Sequence, residues 1–443
     1  MQNELKSEIT RVTLSNGLLV LLKEIHTAPI VSQWIWYRVG ARNEVPGLTG
    51  LSHWVEHMQF KGTPRYPSGV LDRAVSRVGG GWNAFTFLDW TTYYEVLPSG
   101  EAALALEIES DRMINSIFNP EEVESERTVI IAERQGNENE PMFRLSEGVQ
   151  CAAFQVHPYR NEVIGEMNDL KQISREDLYR HYRTYYNPNN AVLTLAGDFE
   201  TDTMLKHIRN LYEGTASSTQ PTQNIPFEPT QEEERYVTTS GPGETVYMLV
   251  AYKAPTANHP DFWPFLVLDS LLSGPSNFNM FGGGISNKTS RLYQALVEKE
   301  ITVGFRGGMM ATIDPFLYNI TATLHPDSSP ERLLEALDTE IKRFQDSPPG
   351  MNELERAEKQ ARALFAYGSE SISNQGYWLG LSEMFDTYAW FTGYLDRISQ
   401  VTPEDVLRAA RTYLIPSNRV TGVYEPTGET AEVEILPGME EGE

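Results

Sequence analysis

The chain has 443 residues, 40% hydrophobic, 11% aromatic and 22% charged, the balance of an ordered globular protein too long for one compact core. Its net charge of −25, from 36 basic and 61 acidic residues, argues against nucleic acid as a partner, because phosphate binding needs a basic surface. One cysteine, Cys151, rules out an internal disulfide and a multi-cysteine zinc site, and is expected to be a small buried side chain.

The polar start, Met1 to Glu8, and the short apolar run Leu18 to Leu22 fit neither a signal segment nor a membrane span. No membrane association is expected, and the location is expected to be cytoplasmic unless a leader has been removed. Arg11 to Ser15 alternates polar and apolar residues, Asn16-Gly17 follows, and Leu18 to Leu22 is continuously apolar, which predicts two strands joined by a tight turn. Pro29 to Val39 predicts another strand with Ile30, Ser32, Trp34 and Trp36 on one face.

Leu51-Ser52-His53-Trp54-Val55-Glu56-His57-Met58 reads as a helix on which His53, Glu56 and His57, at i, i+3 and i+4, leave one face. Neutral imidazole is the commonest zinc ligand, and a carboxylate beside a bound water can act as its base. Glu directly precedes the second His, the reverse of the commoner H-E-x-x-H order. Taken alone, the face is either a metal site or a solvated helix surface. Gly62 sits where a helix cap is expected.

A short helix after Ser68 leads to Gly79-Gly80-Gly81, and a strand pair follows, Trp82 to Phe87 and Thr91 to Leu97. Glycines ahead of a strand allow close backbone approach, so Asn83, Ala84 and Phe85 could lie on an edge strand that accepts a peptide; a plain hairpin is the simpler reading. Asn119-Pro120-Glu121-Glu122 starts a helix expected to stop near Gly136. Along it Glu126, Ile130 and Glu133 share a face, which is either solvated or turns a carboxylate inward to a cation.

Residues 213–235 carry Pro221, Pro226 and Pro229 among polar residues and read as a linker. It separates two similar halves, 1–212 and 236–443. Arg175-Glu176-Asp177-Leu178 with Asn187-Pro188-Asn189-Asn190 recurs at an offset of 403 − 175 = 228 as Pro403-Glu404-Asp405-Val406 with Ile415-Pro416-Ser417-Asn418. The expected fold is α+β, two duplicated halves, each a mostly antiparallel sheet with helices packed on it. Met351 to Arg356 mirrors the Asn119 helix, at an offset of about 229 Arg362 stands for Glu133, and Leu266 to Ser270 stands where the first half has its His helix, so one half alone could bind metal.

His53-Trp54-Val55-Glu56-His57-Met58-Gln59-Phe60-Lys61-Gly62-Thr63, with Glu126-Arg127 and Glu133 downstream, Gly80-Gly81-Trp82-Asn83-Ala84 and His157-Pro158-Tyr159, resembles the pitrilysin/insulinase family of zinc peptidases, the inverzincins. The resemblance covers essentially the whole chain. It implies one zinc per chain held by His53, His57 and Glu133, with Glu56 as the base that takes a proton from the attacking water and Glu126 orienting a ligand. It further implies an endopeptidase acting on peptides or unfolded segments, bound as an added strand along Asn83, Ala84 and Phe85. Active single-type subunits of the family usually carry an Arg and, seven residues later, a Tyr in the second half, after a Ser-Arg-Leu segment; here those positions hold Val297 and Gly304, although Ser290-Arg291-Leu292-Tyr293, Gly282-Gly283-Gly284 and Glu298-Lys299 are kept. Arg306 or Tyr293 would need a register shift to substitute. The implied arrangement is therefore a heterodimer in which a homologous subunit supplies the Arg/Tyr pair. The alternative is a non-catalytic structural or assembly subunit of the same fold.

Overall fold

The computed structural model describes residues 9–219, 221, 223–279 and 285–428, so Gly282-Gly283-Gly284 lies outside the described residues. β1 (Thr10–Thr13), β2 (Leu19–Glu24), β3 (Ile30–Tyr37), β4 (Gly81–Thr86), β5 (Thr91–Pro98) and β6 (Ala191–Gly197) form one sheet in the order β1-β2-β6-β3-β5-β4. Only β2 with β6 runs parallel. β7 (Arg235–Gly241), β8 (Tyr247–Lys253), β9 (Thr302–Gly308), β10 (Leu317–Leu324) and β11 (Arg419–Pro426) form the other in the order β7-β11-β8-β10-β9, where only β7 with β11 is parallel.

The repeat seen in the sequence is the repeat of the fold. Helices Arg175–Tyr185 and Pro403–Tyr413 each begin with a capping box, Ser174 with Asp177 and Thr402 with Asp405. Each is followed by a short 3₁₀ turn and then by the strand, β6 or β11, that makes its sheet's parallel pair. This is the α+β architecture of duplicated, mostly antiparallel sheets.

The first half also carries α1 (Leu51–Met58), α2 (Val70–Arg77), α3 (Ala102–Asn115), α4 (Pro120–Glu138) and α5 (Pro141–Ala153), with the helices Met167–Gln172 before Arg175–Tyr185 and Thr201–Tyr212 after β6. The period-2 pleat of β3 divides its side chains between two cores. Val31, Ile35 and Tyr37 join Leu51, Trp54, Val55 and Met58 of α1, while Trp34 and Trp36 face the helix Ile372–Phe385 from the second half. That helix is buried almost all round because Gly376 and Gly380, one turn apart, let its backbone lie on the two indoles. In exchange α5 crosses to the second sheet, where Leu145 and Val149 pack with Leu249, Ala251, Val420 and Tyr424. The halves are distinct as sheets and continuous as a core, since one apolar cluster runs from Leu19 and Val192 through Tyr377 and Leu381 to Val250 and Phe265.

β1 and β2 pair antiparallel through a tight turn, as expected, with Gly17 N donating to Leu14 O and Leu14 N to Leu18 O, both at 2.9 Å. Other local expectations are corrected. Gly62 does not cap α1, which ends at Met58; it has φ +99° and bridges Pro67, where a Cβ would meet Tyr66 O and Ser68 N at 2.6 Å. α4 runs past Gly136 to Glu138, because a glycine inside a helix costs only about 1 kcal/mol. Cys151 is exposed, not buried, with Arg160 donating to its sulfur at 3.2 Å. No helix among the described residues is long and apolar enough to cross a membrane.

His181, on Arg175–Tyr185, is buried against α1 with Nε2 3.1 Å from Ser52 Oγ. Burial pushes its imidazole down to about 3, so the fold holds it neutral while the unfolded chain takes up a proton below its ordinary value of 6.5. A depressed histidine contributes stability that is full above pH 6.5 and is lost as pH falls toward 3, about 2 kcal/mol by pH 5. His181→Gln should therefore flatten the loss of thermal stability between pH 6.5 and 5 relative to the wild type. Parallel curves would refute the assignment.

Candidate metal centre

α1 positions three polar side chains because its other face is committed to the core. Leu51, Trp54, Val55 and Met58 are buried at i, i+3, i+4 and i+7, which leaves His53, Glu56 and His57 together on the remaining face. The helix begins at Gly50, φ +88°, where a Cβ would meet Ile164 O at 2.6 Å. Its first amides are capped from outside: Glu44 accepts from Gly50 N and Ser52 N, each at 2.7 Å. Burial nevertheless pushes the Glu44 carboxyl up to about 8, against the pull of those two hydrogen bonds.

α4 starts as its sequence predicts, with Asn119 accepting from Glu121 N at 2.9 Å and Pro120 in the first turn. Arg127 fastens it beside α1 by stacking on Trp54, 4.7 Å from the ring centre, and by donating to Leu170 O and Ile173 O. One turn apart, Glu126 and Ile130 turn inward and Glu133 reaches the rim. Glu133 Oε2 then lies 3.9 Å from His53 Nε2 and 3.8 Å from His57 Nε2.

His53, His57 and Glu133 are the one group among the described residues whose donor atoms could share a metal ion, all within 4.8 Å of one another. The set fits zinc. Two imidazoles and a carboxylate are its usual catalytic donors, and bonds of about 2 Å put tetrahedral neighbours roughly 3.3 Å apart, so the observed separations need only a small inward adjustment.

Electrostatics assigns each group a different character. Burial pushes His53 down to about 3, leaving it neutral, with one ring nitrogen protonated and the lone pair of the other available to a metal. Burial also pulls His57 down, but the Glu126 hydrogen bond and the nearby carboxylates outweigh it and leave it above its ordinary value. His57 Nδ1 lies 2.8 Å from Glu126 Oε1 and donates to it, which keeps the Nε2 lone pair directed at Glu133. Burial acts to raise Glu126, yet His57 and the ion pair with Lys61 hold it below the carboxylate range. His53 Nδ1 has no such support, being buried without a hydrogen-bond partner among the described residues. Glu56 is 8% exposed, and burial pushes its carboxyl up to about 7 against the hydrogen bond from Thr86.

β4 is the edge of its sheet, beside α1. Trp82, Ala84 and Thr86 share the parity that faces the helices, with Ala84 in the core of α1. Phe85, on the other parity, stacks on Tyr94 at 6.0 Å, and Asn83 is exposed with its Oδ1 accepting from Ala84 N. Asn83, Ala84 and Phe85 thus lie on a free edge next to the metal group. Val297 and Gly304 are elsewhere, the first in the turn Tyr293–Val297 and the second on β9, the edge of the other sheet. No hydrogen bond or ion pair among the described residues joins either of them, Tyr293 or Arg306 to the His53 group.

Two contributors escaped the sequence. Thr86 carries no motif beyond standing two residues after Ala84, and Glu44 is one acid among 61 whose capping role exists only after the chain folds back.

Residues 19–167 match the family model described as Insulinase (Peptidase family M16), and residues 172–361 match that of the Peptidase M16 inactive domain. The chain is 25% identical to an uncharacterized zinc protease of Streptomyces coelicolor over 92% of this chain and 87% of that one. It is 25% identical to zinc protease PqqE of Helicobacter pylori over 94% of this chain and 92% of that one. A probable mitochondrial-processing peptidase subunit beta of Arabidopsis thaliana is 30% identical over 62% of this chain and 52% of that one. The crystal structure of a protease from Helicobacter pylori matches with a TM-score of 0.87 at 25% identity, covering 95% of this chain and all of that one, 100%.

Proposed function

The chain belongs to the insulinase (M16) family of peptidases, and on that basis we propose that it is a zinc-dependent endopeptidase that cleaves peptides or unfolded segments. The observation that carries the proposal is the approach of Glu133 on α4 to within 4 Å of both His53 and His57, with Glu56 between them on α1. His53, His57 and Glu133 hold one ion per chain. A zinc ion there supplies Lewis acidity, polarising a peptide carbonyl and easing proton loss from water. Glu56 accepts that proton on a carboxylate whose burial raises its affinity for it. Glu126 aligns His57 through Nδ1, and Lys61 holds Glu126. A substrate segment adds alongside Asn83, Ala84 and Phe85 on the free edge of β4.

The rest of the site comes from another subunit. Family likeness calls for an Arg/Tyr pair, Val297 and Gly304 offer no side-chain donor, and the shared core makes the two halves one body, so neither half can swing over the other to cover α1. A relative named as a processing peptidase's beta subunit agrees with a heterodimeric arrangement in which a homologous chain faces this one. The non-catalytic assembly reading draws on the description of the second matched domain as inactive. That description concerns residues 172–361, and the metal group lies outside them.

The deciding experiment is metal analysis of the purified chain, followed by cleavage of an unstructured peptide with and without a chelator and with and without any copurifying homologue. One zinc per chain and chelator-sensitive cleavage, enhanced by the homologue, are expected. A chain that binds no zinc would hand the case to the assembly reading. Glu126→Gln should weaken zinc binding by about 10- to 100-fold in a chelator competition, because His57 loses its ionised acceptor. Wild-type affinity in that variant would remove Glu126 from the site.

A further inference from the structure

We propose that Thr86 is a positioning residue that couples the peptide-accepting edge to the base by holding one oxygen of Glu56. This rests on the zinc-peptidase reading above. Thr86 Oγ1 donates to Glu56 Oε2 at 2.5 Å, joining β4 to α1. No hydrogen bond among the described residues engages Glu56 Oε1, so one carboxylate oxygen is fixed and the other is left to take a proton.

The hydroxyl's one proton has two claimants. Thr91 Oγ1 is 3.4 Å away, and its own proton goes to Val39 O at 2.9 Å. An ionised carboxylate at 2.5 Å is the shorter and charge-assisted partner, so Thr86 commits its proton to Glu56. Thr91, paired in register with Thr86 on the neighbouring strand, therefore has no proton to offer it and does not compete effectively for the Thr86 proton. Further along the strand pair, Arg112, buried with Glu95 and Glu109, lies under the rings of Tyr93, the cross-strand partner of Ala84, at 4.4 Å and of Trp82 at 5.3 Å.

The consequence is geometric. Thr86 is two residues beyond Ala84 on the same face of β4, so a segment that adds to the strand's free edge and the carboxylate that serves it are referred to one rigid ribbon. A glutamate on a short helix has three rotatable side-chain bonds, and among the described residues only Thr86 restricts the last of them by a hydrogen bond.

Three zinc-loaded full-length chains test this, the wild type, Thr86→Val and Thr86→Ser, assayed on an unstructured peptide with zinc affinity measured in parallel. Valine keeps the shape and removes the donor. Expected for Thr86→Val is a kcat lower by about 10- to 100-fold with KM and zinc affinity within about twofold, and for Thr86→Ser recovery to within about threefold. A kcat within about twofold of wild type in Thr86→Val, a KM or zinc affinity that moves as far as kcat, or no recovery with serine would overturn the proposal. Crystal structures of the wild type and Thr86→Val give a readout independent of turnover. The Glu56 carboxylate should occupy one orientation in the first and several in the second, and an unchanged single orientation would refute the positioning role even if the wild type cleaves nothing. In that last event the peptidase reading fails on its own evidence.

Discussion

Glu56→Gln is expected to lower peptide cleavage by about 10³-fold while the chain still binds its metal. Glutamine matches the volume and can still accept the Thr86 hydrogen bond through its amide oxygen, so the packing of α1 against β4 is kept. What it cannot do is take up a proton at neutral pH. Neither His53, His57 nor Glu133 loses a neighbour on which its donor atom depends, so zinc stoichiometry should equal that of the wild type. Stability should hold or rise, because a carboxylate 8% exposed carries a desolvation penalty that an amide of the same shape avoids. Three measurements check this together: steady-state cleavage, zinc content and thermal midpoint. Wild-type turnover with full zinc would remove Glu56 from the chemistry, and loss of zinc would show that its role is to support the ligands.

The residues that lie on regular elements were the legible ones. Helical spacing alone put His53, Glu56 and His57 on one face and Glu126, Ile130 and Glu133 on another, and α1 and α4 display those faces to each other. The duplicated helix-turn-strand at an offset of 228 returned as β6 and β11 in equivalent positions, because capping boxes and X-Pro turns are local signals that survive whatever the surroundings. The exchange of α5 and Ile372–Phe385 between sheets was not legible. A helix apolar on all sides declares that it is buried and says nothing of which sheet buries it. Cys151 shows the same limit in reverse, since small apolar residues are usually interior and its exposure depends on where α5 happens to point.

That exchange sets the second large effect. Gly380→Ala should destabilise the whole chain by about 2 kcal/mol or more, and both halves should unfold together. A Cβ at Gly380 would sit 1.9 Å from Trp36 Nε1, and at Gly376 one would sit 2.8 Å from Trp34 Cδ1. Both indoles are fully buried, stacked on each other with centroids 5.6 Å apart and closed in by Tyr94, Trp90 and Tyr377, so neither can rotate away cheaply. Two effects oppose each other. Alanine favours the helix over glycine by about 1 kcal/mol, and overpacking a filled core costs about 1–3 kcal/mol, more where no side chain can give. At 1.9 Å the helix must lift off the sheet, so overpacking wins. The displaced contact is also one of the two that join the halves, because Trp34 and Trp36 belong to the first sheet and the helix that covers them to the second half, while α5 makes the reciprocal contact. A single urea transition at lower midpoint is therefore expected, followed in parallel by a probe in each half. An unchanged midpoint would mean that the helix does not rest on the indoles, and two separated transitions would mean that the halves have independent cores; the second result would also reopen closure of one half over the other as the way the metal face is covered.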